Sequence, residues 1–396
     1  MAEWIPYTIC VLQSIQTGSF LTLDIVTNSL KEVWGFSGDE IIRIGTFGYS
    51  IGFFMVAIFT LFLMHNFKTF TLAILGNFVS LICWIIIRIY LCKCLPWWII
   101  SLLEAGIAFG TAIGYMSAIQ LVQRGDTGIR RWKIIGLAIG VSIGSLISFV
   151  LWKLVGSASV TIDIISIFSL ISGILMTIVT YLTPEVTIYG RIPSLKFTWN
   201  FSVFILGVMI NFGIVVTFFN DATNMILASE PERWDPEIPL ICLVIGNLIG
   251  RISGLAFKTH LEYTPFLFGA FSAILALLQF ALIIYWNFEL IIINLVVNGI
   301  FFGLIWTLTL PLTKDFFGIG EDYALGNCSL AMAIGPLLYG FFASWIYNRH
   351  EFPGGCDQMC FLPFLIFSVI TQLIAIIAYI SGFFLVKRYR EYYPLV

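Results

Sequence analysis

Charge is scarce in this chain. Of its 396 residues, 11% are Asp, Glu, Lys or Arg, roughly half the share found in a soluble domain. So few charged groups cannot cover a water-facing surface when 59% of the residues are hydrophobic. Histidine is scarcer still. His65, His260 and His350 fall in separate loops, none at metal-ligand spacing and none beside a nucleophile. Metal sites, cofactors and enzymatic chemistry are therefore not expected. No glycine-rich phosphate loop runs into a lysine, which argues against an ATP-driven pump. No repeated filter or ring of charges suggests an ion channel. A net charge of −2 offers nothing to nucleic acid. Only Met1 to Trp4 precede the first apolar run, without a basic region or a small-residue cleavage site, so that run reads as a permanent helix rather than a signal peptide.

Long apolar runs are abundant. A hydrocarbon core of about 30 Å needs about 20 helical residues to span it. Runs of that length lie near 5–27, 41–64, 70–91, 97–121, 133–155, 162–183, 198–220, 238–257, 265–286, 290–312, 324–346 and 361–386. In lipid each helix satisfies its own backbone, so the sequence predicts an all-α polytopic membrane protein of about 12 transmembrane helices. A β-barrel would alternate over short strands, and these runs are continuous. The loops between them are too short for a separate soluble domain. The first run carries Gln13, Ser14, Gln16, Thr17 and Asp24, so one side of it must face protein or water.

Twelve spans put both ends on one side. That side holds 12 of the Lys and Arg residues, the opposite side 5, and Arg43, Arg88 and Arg251 sit inside spans. The excess places both termini in the cytoplasm, at the plasma membrane or an internal one. Cys10, Cys83, Cys242 and Cys328 fall within spans. Cys92, Cys94, Cys356 and Cys360 fall in outer loops, where a Cys356–Cys360 bridge or a cross-loop pair are both open. A polar stretch with Pro184, Arg191, Pro193 and Lys196 divides the chain into residues 1–183, a linker at 184–197, and residues 198–396. Two six-helix halves of this kind are the architecture of major facilitator transporters, whose solute site lies near the bilayer midplane.

Glycines recur every fourth residue at Gly106, Gly110 and Gly114 in span four, and at Gly136, Gly140 and Gly144 in span five. Such stripes let helix backbones approach, for fixed packing or for sliding. Ionisable groups inside spans are the main functional pointers. Arg251 shares a face with Asn247 and Gly254, and its fork suits a carboxylate or phosphate; the other reading is a structural ion pair. Asp24 lies on the polar stripe of span one with Gln13, Gln16 and Phe20. It can pair with Arg251, bind a proton, or reach the outer surface. Glu104 shares a face with Thr111 and Tyr115 in span four. Asn211, Asn220, Asp221 and Asn224, and Asn294, Asn298 and Trp306, complete the polar set, some of them simple helix-to-helix bonds.

The second half carries a resemblance. It has Gly246-Asn247-Leu248-Ile249-Gly250-Arg251-Ile252-Ser253-Gly254, then Gly303-Leu304-Ile305-Trp306, Pro311 and Phe316-Phe317-Gly318. Gly326-Asn327, Ser344-Trp345-Ile346-Tyr347-Asn348-Arg349 and Cys356 to Cys360-Phe361 follow. This ordered series resembles the nodulin-like branch of the major facilitator superfamily, close to the monocarboxylate porters. The first half is similar mainly at Leu30-Lys31-Glu32 and Arg124-Gly125. The resemblance implies that Arg251 holds a substrate carboxylate. Three departures stand out: Asn247 where the porters have an acid, Asp24 where they have a lysine, and His65-Asn66 where the superfamily has Asp-Arg.

Together these features predict a secondary active transporter that is monomeric in a lipid bilayer and moves a small solute, an organic anion of the monocarboxylate type. Arg251, Asn247, Asn211, Asn298, Trp306, Tyr115 and Gln16 are the expected solute contacts, with Asp24 or Glu104 carrying a coupling proton. Transport of an amino acid, cation or metal chelate, or a non-transporting receptor with this fold, are the alternatives.

Overall fold

The computed structural model describes residues 4–19, 36, 38–91, 95–122, 127–183, 199–230, 238–317, 321–350 and 358–392. Among these residues twelve α-helices follow in chain order: α1 Trp4–Gly18, α2 Gly38–Ile58, α3 Thr69–Tyr90, α4 Trp97–Val122, α5 Thr127–Val155 and α6 Ala158–Leu182, then α7 Trp199–Ser229, α8 Ile238–Phe257, α9 Thr264–Ile284, α10 Phe288–Phe317, α11 Glu321–His350 and α12 Gln358–Tyr392. Each stands where an apolar run predicts a span. Eleven of them are long and apolar enough to cross a membrane. The described part of α1 is 15 residues, short of a crossing at 1.5 Å per residue; the rest of its predicted span lies outside the described residues.

Several helices outrun their apolar segments. α7 continues past residue 220 through Asp221 and Asn224, and α5 begins at Thr127, ahead of the apolar run. Backbone hydrogen bonds extend a helix through polar residues that hydropathy alone would assign to loops. At the end of α2 the winding loosens to a π segment at Phe59–Leu63, then tightens to a 3-10 turn at Met64–Asn66. Gly156 links α5 to α6 at φ 64°, where its N–H bonds the Trp152 carbonyl at 2.8 Å. A side chain in that left-handed conformation would be strained.

The chain forms two compact units, Met1–Tyr189 and Gly190–Val396, with six helices in each. In the first, α4 lies on α3 and α5 on α1, both through glycine. A Cβ on Gly110 would sit 2.6 Å from the Ser80 nitrogen, and one on Gly140 2.9 Å from the Ser14 Cβ. Ser145 closes the second contact with a 3.0 Å bond to the Gly18 carbonyl. Trp84, Ile87, Ile100, Ile107 and Ile162 fill the apolar core beside them. In the second unit α8 lies on α10, and α9 on α12.

Polarity runs inside out, as lipid requires. Phe78, Ile89, Leu277, Phe341 and Ile377 are exposed, while Gln13, Gln16, Asn211, Gln279 and Gln372 are fully buried. Without water outside, polar groups gain by facing one another across helices.

Candidate functional site

Arg251 stands on α8, 5% exposed, with Asn247 one turn earlier at 1%. Its Nε donates to the Asn247 Oδ1 at 3.0 Å. Asn247 thus aims the guanidinium without adding a negative charge. The helix is held in place by a glycine seam. A Cβ on Gly246 would meet the Gly299 Cα at 3.0 Å, and one on Gly303 would meet the Arg251 nitrogen at 2.9 Å. No side chain fits between α8 and α10 at these points, so the backbone carrying Arg251 rests directly on its neighbour.

The other expected contacts in this unit make bonds and ring contacts of their own. Trp306 packs its ring on Phe212 at 5.5 Å and Phe302 at 6.5 Å, between α10 and α7. The Asn211 amide donates to the Tyr379 hydroxyl at 3.0 Å and the Ser272 hydroxyl at 3.1 Å, joining α7, α12 and α9. Asn298 bonds back to Asn294, at 2.9 Å to its carbonyl and 2.6 Å to its side chain. Both asparagines share a stripe with Phe301, which faces Phe268 and Phe271 on α9. Asn211 is therefore engaged between helices, and Asn298 is tied back within α10 with its side-chain oxygen unpartnered.

In the first unit the polar face of α1 is buried against protein. Gln13 donates to Gln16 at 2.9 Å and to Asn77 on α3 at 3.0 Å, and Gln16 donates to Ser169 on α6 at 3.1 Å. Thr17 reaches the Thr111 carbonyl on α4 at 3.3 Å. Gly114 makes room for this network: a Cβ there would lie 2.6 Å from the Gln13 Nε2. Glu104, 1% exposed, lies over Gly48 of α2, where a Cβ would meet its Cγ at 2.8 Å. Tyr115 is half-buried on α4. Asp24 lies outside the described residues. Of the other intramembrane arginines, Arg88 pairs with Asp163 at 2.8 Å, and Arg43 sits 5.8 Å from the Trp97 ring.

Asn77, Ser169, Ser272, Gln279 and Gln372 are buried polar residues that span-by-span reading passes over. Their one sequence signal is an amide or hydroxyl inside an apolar run. Among the described residues no group of three or more His, Cys, Asp or Glu is placed to hold a metal. Cys10, Cys83, Cys242 and Cys328 are free thiols. Cys360 is disulfide-bonded to a residue outside those described.

No protein-family model matches the chain, and no curated protein sequence does. A solved structure does: the crystal structure of a Major Facilitator Superfamily transporter, FucP, in the outward conformation. It is 13% identical to this chain at a TM-score of 0.66, and the match covers 96% of this chain and 98% of that one. At that identity the likeness is one of fold. The chain is an all-α, multi-pass membrane protein with the major facilitator fold.

Proposed function

We propose that this chain, built on the major facilitator fold, is a secondary active transporter that moves a small organic anion of the monocarboxylate class by alternating access. The observation that supports the reading is a buried guanidinium in the middle of a membrane helix, aimed by a neutral amide. Placing such a charge there costs about 2.5–3.5 kcal/mol on insertion scales. An anionic solute offsets that cost only while it is bound, which suits a carrier that must also release its load. Asn247 stands one turn away where an acid would add a negative charge, and it supplies a neutral acceptor instead.

Arg251 and Asn247 hold the carboxylate in this reading, and Trp306 of the same unit bounds the solute. Asn211 and Asn298 act on it through helix packing. Protonation of Glu104 or Asp24 couples transport to a proton gradient. Both termini are cytoplasmic, and the working unit is a monomer.

Uptake of labelled monocarboxylates into vesicles holding the purified chain tests this. Arg251→Lys keeps the charge but loses the fork, so one charge-assisted hydrogen bond of about 1.5–3 kcal/mol goes, roughly a 10- to 100-fold loss of uptake. Undiminished uptake by that variant removes Arg251 from the site.

A further inference from the structure

The second unit holds a carboxyl group that the anion site does not use. Asp221, in the C-terminal part of α7, is 4% exposed, and among the described residues no hydrogen bond or ion pair reaches it. One turn earlier Thr217 is 1% exposed, and its hydroxyl has no partner. Thr264 and Thr309 share that state. Thr111, Thr180, Thr307 and Thr371 each bond back to the carbonyl four residues before, the ordinary resort of a helical threonine.

The packing sets the height of these two residues. Phe204 on Phe268 and Asn211 on Ser272 show α7 and α9 running in the same direction. Phe266 on Phe383 and Phe268 on Tyr379 show α12 running the opposite way. Counting along from those anchors, Thr217 and Asp221 stand level with Gln279 on α9 and Ser368 on α12. Both amide atoms of Gln279 lack partners, as do both of Gln372 and the Ser368 hydroxyl, all in fully buried side chains. Gln279 continues the stripe of Ser272, and Ser368 and Gln372 continue that of Tyr379. Those are the two stripes that meet at Asn211. A buried amide or hydroxyl with no bond costs about 1–3 kcal/mol, and groups of this kind are the usual hosts of internal water.

We propose that Asp221, with Thr217 one turn before it on the same face of α7, is a proton-binding site inside the second unit. An ionised carboxylate buried without a counter-charge costs several kcal/mol. One proton removes that cost. The proton arrives from a hydronium ion, which departs as water, and it leaves by the reverse step.

Among the described residues, the helices packed against α7 bring no charged group into a pair with Asp221. Their described titratable or charged side chains are Cys242 and Arg251 on α8, Glu289 on α10, Cys328 and Tyr339 on α11, and Tyr379 and the disulfide-bonded Cys360 on α12. None of them pairs with Asp221.

The site rests on the transporter reading only for the use made of its proton, so its test needs no solute. Infrared difference spectra of the full chain in lipid, taken from mildly acidic to alkaline medium, report the carbonyl band of a protonated carboxylic acid. The wild type should show such a band and lose it on alkalinisation. Asp221→Asn should remove a component of it that Glu104→Gln leaves in place, and Asp221→Glu should restore that component at a shifted frequency. An undiminished band in Asp221→Asn, or loss of that component on adding sodium at constant pH, overturns the proposal. Failure here leaves anion uptake through Arg251 untouched, and failure of anion uptake leaves the band.

Discussion

Glycine at two positions shows how far a single side chain matters in this protein. A methyl group on Gly48 would press into the Glu104 carboxyl, 2.5 Å from its Cδ, whereas a methyl on Gly269 would meet nothing within 4 Å. Gly48→Ala should therefore lower stability by about 1–3 kcal/mol, the usual penalty of overpacking. Gly269→Ala should be neutral or gain up to about 1 kcal/mol from helix propensity. Thermal unfolding of both variants in detergent checks the difference. Equal melting temperatures would mean that Glu104 does not lie on α2. The sequence marks both positions identically, as glycine in an apolar helix. Only the neighbour tells them apart.

Between helices, the bonds at Asn211 tie three elements through one amide. Replacing it with leucine orphans the Tyr379 hydroxyl and leaves Ser272 only its bond to the Phe268 carbonyl. Interhelical bonds in membranes average about 0.6 kcal/mol, and up to about 1.7. Asn211→Leu should thus cost about 1–2 kcal/mol, read as earlier unfolding in denaturant. A loss of solute affinity with unchanged stability would instead return Asn211 to the solute site. The glycine stripes show how much of such packing can be read from the chain. Their four-residue period announces close helix contacts: Gly110 and Gly144 lie against a neighbouring backbone, Gly106 and Gly140 against Cys83 and Ser14, and Gly114 and Gly136 make room for Gln13 and Tyr7. That α4 meets α3, and α5 meets α1, is written in no stripe, because any smooth face accepts any other. The same holds for Asn247 and Arg251: their spacing places them on one face, and the 3.0 Å bond follows from helix geometry. Asn211 shares its residue type with Asn247 yet bonds to α9 and α12, while Asn298 bonds back to Asn294.

For the molecule as a whole, the distribution of basic residues, 12 against 5 across the membrane, makes a topological statement that can be checked directly. Epitope tags at both ends should bind antibody only after the membrane is permeabilised. A tag reached in intact cells would break the count of spans or the orientation. The fold likeness at 13% identity fits with this, since a bilayer constrains the pattern of apolar runs far more than the identity of each residue.

What the sequence determined by itself was the solvent, the number and place of the helices, and the residues that hydrocarbon cannot tolerate. Those follow from local physics, the cost of exposing a backbone or a charge to lipid, which each segment meets alone. Which buried polar groups find partners was decided only by tertiary structure. Gln13 and Asn77 meet across α1 and α3, while Thr217 and Gln279, equally polar on paper, are left unmatched. A hydrogen bond needs two atoms about 3 Å apart, and distance across a bundle is set by the packing of whole helices.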